Sequence, residues 1–336
     1  MLRQRQHSNH IAAAVFLFFS HPIIMNQSLL LTSIAGIRIA WQSDWTEDMD
    51  HLGHAFRYHV IDQEVDHEPC HHVSFSAVFE PPYNLSAYTP VIEGPLIKSD
   101  IVSLYALPDG RDILQVKDEI WIEHNRGMRT TRVLLRCLHD NGKVVRPRIT
   151  DVVVILLHTL MSMYHRYVVH AAAIGIEGKA YVFLGESGHG KSTLSSDMVA
   201  MGAEYMGDDL IFLYTENGRV MAGSLLFDTK LIPSPDADHK ERVDMISRYN
   251  GKPLLWLPVA AFHYISRTDS IESKLISQDA IDCMAQLLRA SNNIRLQYDP
   301  DIWQDVCTEA ASKIPYYILR YGARTSISPT FFSHVK

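Results

Sequence analysis

The stretch Gly185-Glu186-Ser187-Gly188-His189-Gly190-Lys191-Ser192 constrains this chain more than any other. It fits GxxxxGK[ST], and its surroundings fit as well: YVFL before it reads as a buried strand, and STLSSDMVAMG after it reads as a helix from Lys191 to about Met201. The glycines let the backbone curl until its N–H groups point at one anion. The helix that follows adds the positive end of its dipole. Lys191 can then reach the outer phosphates of a nucleotide, and the Ser192 hydroxyl can ligate Mg²⁺. An ordinary Gly-rich turn would account for neither the Lys-Ser pair nor the flanking elements. The sequence therefore predicts a nucleotide cradle made of Gly185, Glu186, Ser187, Gly188, His189, Gly190, Lys191, Ser192 and Thr193. His189 stands at a variable position, where the backbone is expected to do the work.

Asp208-Asp209 follows 17 positions after Lys191, in MGDDLIFLY at the start of a strand. Neighbouring strand residues face opposite ways, so one carboxylate can face the phosphates while the other turns elsewhere, unless the backbone bends there. Paired carboxylates beside a triphosphate suit two tasks, holding Mg²⁺ and taking the proton of an attacking hydroxyl. The competing reading is a solvated turn, which Asp also favours. His170 ends the apolar run YVVH, 15 positions ahead of Gly185. Taken alone it reads as a core histidine.

Around this centre the chain divides by pattern. Residues 29–146 mix alternating and short apolar runs (SLLLTSIAGIRIAW, HVSFSAVF, DILQVKDEIWIEH, TTRVLLRCLHDNG) punctuated by Gly, Pro and Asn-Gly, and predict a mainly β domain. Residues 147–336 predict an α/β domain around the loop. Thr150 or Asp151 is expected to cap a helix through VVVILLHTLMSMYHRY, apolar nearly all round and so buried between layers. Tight turns are expected at Asp140-Asn141-Gly142, Glu177-Gly178-Lys179 and Glu216-Asn217-Gly218. Beyond about residue 255, strand (LPVAAFHYISR) alternates with helix (SQDAIDCMAQLLRA). Residues 1–28 are read as a tail or a mis-called start. The basic opening MLRQRQHSNH and the apolar run IAAAVFLFFSHPIIM have the order of a targeting segment, but the run is short for a membrane span, which takes about 20 residues, and Met25 would itself serve as a start.

His170, the strand-turn-strand, GESGHGKS and MGDD in this order resemble the catalytic domain of HPr kinase/phosphorylase, over roughly residues 150 to 230. The resemblance implies a catalytic domain over residues 147–336, a P-loop fold akin to phosphoenolpyruvate carboxykinase, and ATP-dependent phosphorylation of a serine hydroxyl. It implies Asp208 as the base, Asp209 with Ser192 on the metal, Lys191 on the phosphates, and His170 beside the Asp pair or the transferred phosphate. ATP and Mg²⁺ are the implied cofactors, and homo-oligomers are a feature of the family. Two departures stand out. The family's PGRN-type segment has only SNNIRLQYD as its nearest match, and the β-rich first half does not look like the family's N-terminal domain. HPr-kinase-like proteins of this design are associated with ribosomally made peptides, lasso-peptide pathways included, where they phosphorylate a serine of the precursor. On that analogy the partner is a peptide or small protein carrying the acceptor serine, and the first half is a place to recognise it.

Charge and cysteine bound the alternatives. A formal net charge of -7 argues against non-specific nucleic-acid binding, which needs phosphate neutralisation. Four scattered cysteines without a CxxC pair make no disulfide framework. With the need for ATP, they predict a cytoplasmic protein without stable membrane insertion. His51, His54, His59, His67, Cys70, His71 and His72 fall close together without a fixed ligand spacing, and read as a polar surface loop rather than a metal site. Lys240, Arg242, Lys252 and Arg267 follow the core, and any of them could supply the extra cation that phosphoryl transfer often uses. Four functions compete: a serine kinase of peptides, a motor or transport ATPase, a nucleotide sensor without chemistry, and a kinase of HPr or of a small molecule. No LSGGQ-like signature and no later Walker-B strand is present to favour the ATPase.

Overall fold

Alternating apolar residues in the first half build one eight-stranded sheet. The computed structural model describes residues 29–61, 70–95, 101–225, 228–231, 241–267, 274–291 and 300–321. The segment 1–28 and His67 lie outside them. The strands are β1 (Leu30–Ile34), β2 (Ile37–Ser43), β3 (His71–Val78), β4 (Ile92–Pro95), β5 (Ile101–Ala106), β6 (Arg111–Val116), β7 (Ile120–Asn125) and β8 (Thr130–Arg136), in the order β1-β2-β3-β8-β7-β6-β5-β4. Two of the ladders, β2–β3 and β3–β8, are parallel. The first is spanned by α1 (Thr46–Ala55), a helix the sequence reading placed in a polar loop. Its apolar stripe is only Met49 and Leu52, continued by Phe56 just beyond its end, too sparse a pattern to stand out among His and Asp. A small hairpin, β9 (Leu138–Asp140) with β10 (Lys143–Val145), closes this half.

The helix expected next is α2, Ile149–Ser162. Its N-cap is Arg148, without a side-chain cap bond, so the helix begins ahead of Thr150 and Asp151; burying Ile149 in the first turn accounts for the earlier start. It also stops sooner than expected, because Tyr167 already belongs to β11 (Tyr167–Val169). As its apolar circumference demands, α2 is buried. One core cluster runs from Trp41, Phe75 and Ile122 through Leu156 and Leu160 to Phe212 and Tyr214 of the second half.

The second sheet contains β11, β12 (Ala172–Ile176), β13 (Lys179–Leu184), β14 (Glu204–Gly207), β15 (Ile211–Glu216), β16 (Arg219–Ser224) and β19 (Trp256–Arg267), in the order β11-β15-β16-β19-β13-β12-β14; β20 (Lys274–Gln278) and β21 (Tyr316–Tyr321) extend it beside β19. A separate hairpin is formed by β17 (Asp228–Leu231) and β18 (Glu241–Asp244). The helices are α3 (Lys191–Ala200), α4 (Met245–Arg248), α5 (Ala280–Ala290) and α6 (Pro300–Lys313). Period-2 alternation sorts the central strands. Tyr181 and Phe183 pack with Leu194 and Met198 of α3, while Ala180, Val182 and Leu184 pack with Cys283 and Leu287 of α5 and Trp303 of α6. Both faces are covered, which is why these strands read as unbroken apolar runs.

The three expected tight turns form. Asn141-Gly142, Glu177-Gly178 and Asn217-Gly218 each carry two successive positive φ values, the geometry a two-residue hairpin needs. Among the described residues, no helix is long and apolar enough to cross a membrane.

Candidate functional site

Register brings the three sequence signals to one sheet edge. Ala172 pairs with Phe183 and Ala173 with Gly207, so the start of β12 lies between the ends of β13 and β14. His170 precedes β12, Gly185 follows β13, and Asp208 follows β14. Val169 pairs with Ile211, which sets His170 beside the start of β15 and hence beside Asp209. On the other flank Leu184 pairs with Tyr264 of β19.

The loop from Gly185 to Gly190 joins β13 to α3, as the sequence predicted. Gly185, Gly188 and Gly190 hold φ of +148°, +86° and +95°. A Cβ on Gly185 would also stand 3.3 Å from the Ile265 carbonyl oxygen, so both conformation and space call for glycine. Lys191 is 5 % exposed and its ammonium donates to the Gly185 and Glu186 carbonyls at 2.8 and 3.1 Å. The cation thus lies back over its own loop. Ser192 and Thr193, in the first turn of α3, are half-buried; Glu186, Ser187 and Gly188 are exposed. His189 does more than lend its backbone. Its Nδ1 lies 3.2 Å from the Ile265 carbonyl, its ring meets Tyr264 edge-on, and its Nε2 is 3.7 Å from the Glu186 carboxylate. The side chain ties the loop to β19.

The backbone does bend at the Asp pair, and the two carboxylates part company. Asp208 is 1 % exposed, whereas Asp209 is exposed. Asp209 has φ +66°, and the Leu210 N–H donates to the Asp208 carbonyl at 2.8 Å. A bond from residue 210 to residue 208 across a positive φ is the rare, strained form of the γ-turn. His170 is half-buried. Burial, then the Lys191 ammonium, lower its pKa, against the opposing pull of Asp209, Asp208 and a hydrogen bond to the Asp209 backbone. The imidazole is therefore neutral at pH 7 and senses the loop lysine and both carboxylates at once.

A cleft of about 410 Å³ opens beside the loop, lined by His170, Gly185, Glu186, Ser187, Tyr264, Gln286, Arg289 and Ala290. The sequence reading missed Tyr264, Gln286 and Arg289. They come from β19 and α5, and no spacing ties them to the loop; the one available hint was a lone arginine in the last turn of an amphipathic helix. The Tyr264 phenol is raised first by burial and then by Glu186, with Arg289 opposing. Of the cations weighed from sequence, Arg242 and Lys252 are exposed and neither lines this cleft, Arg267 ends β19, and Lys240 lies outside the described residues.

The His-rich stretch is not a surface loop throughout. His59 is 2 % exposed and its ring lies 3.0 Å from the Leu225 carbonyl; His71 opens β3 and is 1 % exposed. Packing the start of β3 against Tyr164 and the turn after α1 against Leu225 draws these rings inside. Among the described residues no group of three or more His, Cys, Asp or Glu is arranged to hold a metal.

Fold and site define a mixed α/β protein in which a glycine-rich strand–loop–helix and a carboxylate turn meet at one end of a sheet. No family model matches the chain, and no curated protein matches it. Among solved structures it is similar to the Hpr(Ser) kinase/phosphatase from Coxiella burnetii, at 12 % identity and a TM-score of 0.30, over 50 % of this chain and 99 % of that one.

Proposed function

We propose that this chain is an ATP-dependent kinase that transfers the γ-phosphate to a serine hydroxyl of a peptide or small protein, with a ribosomally made, lasso-type precursor as the substrate class. The observation that supports it best is the meeting of the Gly185–Lys191 loop, the Asp208–Asp209 turn and His170 at one sheet edge. An anion cradle alone serves any nucleotide-binding protein. A carboxylate pair split between a buried and an exposed position beside it suits transfer, because one group can take a proton while the other faces a metal.

In this reading the loop amides and Lys191 hold the outer phosphates. Ser192 and Asp209 offer hydroxyl and carboxylate oxygens, hard donors that fit Mg²⁺, which takes one or two protein ligands and fills its shell with phosphate oxygens and water. When bound, the metal would draw charge off the β- and γ-phosphate oxygens. Asp208 accepts the proton of the serine hydroxyl. His170, neutral, braces the Asp209 turn.

The test is phosphate transfer read by mass spectrometry, with purified protein, Mg-ATP and serine-containing precursor peptides. A peptide should gain one phosphate on serine, and Asp208→Asn should slow the gain by about 10²-fold or more while ATP still binds. Tight ATP binding without transfer to any peptide would sink the peptide-kinase reading and leave HPr, a small molecule or a sensor role.

A further inference from the structure

Phosphoryl transfer develops negative charge on the equatorial oxygens of the moving group, and a well-placed arginine stabilises it. The cleft beside the loop holds such a residue. It is lined by the leading arm of the loop, Gly185 to Ser187, and not by Lys191 or Ser192 in the first turn of α3. His170, set beside the Asp208–Asp209 turn by the pairing of Val169 with Ile211, also lines it. A phosphate held by the Gly185–Ser187 arm of the loop would face this cleft. Arg289 lines it as well, exposed, with no salt-bridge partner among the described residues.

The platform under Arg289 is rigid. The Ala290 carbonyl accepts the His170 N–H at 2.8 Å, so the last turn of α5 is bonded directly to the catalytic edge. The next residue is anchored too: the buried Trp303 indole donates to the Ser291 hydroxyl at 3.0 Å. A charge held on a pinned turn costs little reorganisation when the reaction needs it.

We propose that Arg289 is the cation that stabilises the phosphoryl group in transfer, reaching across the cleft from the last turn of α5. The proposal rests on the kinase reading above. In the step, the serine oxygen forms its bond to the γ-phosphorus as the bond to the β,γ-bridging oxygen breaks. The electron pair leaves with ADP and the hydroxyl proton passes to Asp208. Arg289 spans the equatorial oxygens, where a bidentate fork fits better than an ammonium.

The experiment compares two probes, MgADP alone and MgADP with fluoroaluminate, a mimic of the phosphoryl group in flight, by titration calorimetry. The wild-type protein should bind the second at least about 10²-fold more tightly than the first. Arg289→Ala should keep its affinity for MgADP within about twofold and lose most of the gain, on the scale known for transferred arginines. Arg289→Lys should recover only part of it. A gain retained in Arg289→Ala would overturn the assignment of Arg289 and leave the kinase reading standing. A wild-type protein that binds MgADP with no gain would overturn both.

Discussion

Where a carboxylate points follows from its backbone, and at Asp209 that backbone is strained. The residue sits at φ +66° inside a γ-turn closed by the Leu210 N–H. Non-glycine residues in such conformations cost about 1–3 kcal/mol and persist where surrounding structure over-determines them. Here the ladders on both sides, β12–β14 and β11–β15, fix the chain that enters and leaves the turn. Two substitutions isolate the backbone effect, because both delete the carboxylate. Asp209→Gly should be more stable than Asp209→Ala by about 1 kcal/mol, since glycine adopts positive φ freely. If the proposed kinase activity holds, both should lose phosphate transfer alike. Urea denaturation of the pair checks the first statement, and equal stability would mean that the turn carries no strain. Gly185 obeys the same logic on the other side of the site. Its φ of +148° and the Ile265 carbonyl 3.3 Å from a would-be Cβ make Gly185→Ala a loss of about 1–3 kcal/mol, readable in the same denaturation curves.

Between elements, the helix that follows the loop is held from above by the first half of the chain. Tyr249, next to α4, meets Ser196 of α3 at 3.3 Å, and the β17–β18 hairpin leads into α4. Arg57, just past α1, grips that hairpin through Asp228 at 2.5 Å and Asp244 at 2.8 Å, and the Tyr58 hydroxyl donates to Asp244. Burial works to raise the Asp244 carboxyl, but hydrogen bonds from Arg57, Tyr58 and Ser247 overcome it and hold the group well below the usual carboxylate range. The pair is more than surface decoration, since the Arg57 side chain is 23 % exposed and those of Asp228 and Asp244 are 13 % and 25 %. Arg57→Ala should destabilise the protein by about 2 kcal/mol, less than the 3–5 of a fully buried pair because water still reaches it. A double-mutant cycle with Asp244→Asn, which keeps an oxygen for the α4 cap, should return a coupling of about 1 kcal/mol or more; additive losses would show the grip to be idle. None of this was legible in the sequence, where Arg57 and Asp244 stand far apart. What was legible is local. Asn217-Gly218 makes its turn from its own two residues, and GESGHGKS declares its strand, loop and helix from contiguous chain. Helix α1 escaped because packing by Met49, Leu52 and Phe56 outweighs a polar composition, and Arg289 escaped because only the fold brings α5 to the loop.

At the scale of the whole molecule, the join between the first sheet and α2 is polar inside, and that makes stability answer to acid. His71 Nδ1 lies 2.8 Å from the Tyr164 hydroxyl and its Nε2 2.8 Å from Thr131 Oγ1; His124 lies 2.7 Å from the same Thr131 oxygen and 3.0 Å from Thr159 Oγ1 on α2. His158, on α2 as well, is 6 % exposed. Burial, then His72 and Arg129, lower His71 to about 4; burial, then His71 and Arg126, lower His124 to about 3; burial alone lowers His158 to about 4. In the unfolded chain each imidazole titrates near 6.5. The folded form therefore refuses protons that the unfolded form accepts. Stability is complete above pH 6.5 and falls as pH drops toward 4, at about 1.4 kcal/mol per pH unit for each imidazole. Three acting together remove about 4 kcal/mol per unit, a large share of the 5–15 kcal/mol that a folded protein commands. The urea midpoint should hold steady from pH 8 to 7 and drop steeply between pH 6 and 5, before most carboxylates titrate. The slope should correspond to an uptake of at least three protons on unfolding, since His59, His72 and His170 are lowered by burial too. A midpoint that stays flat down to pH 5 would mean that these imidazoles accept protons in the folded state, and that the polar join opens to water without loss of the fold.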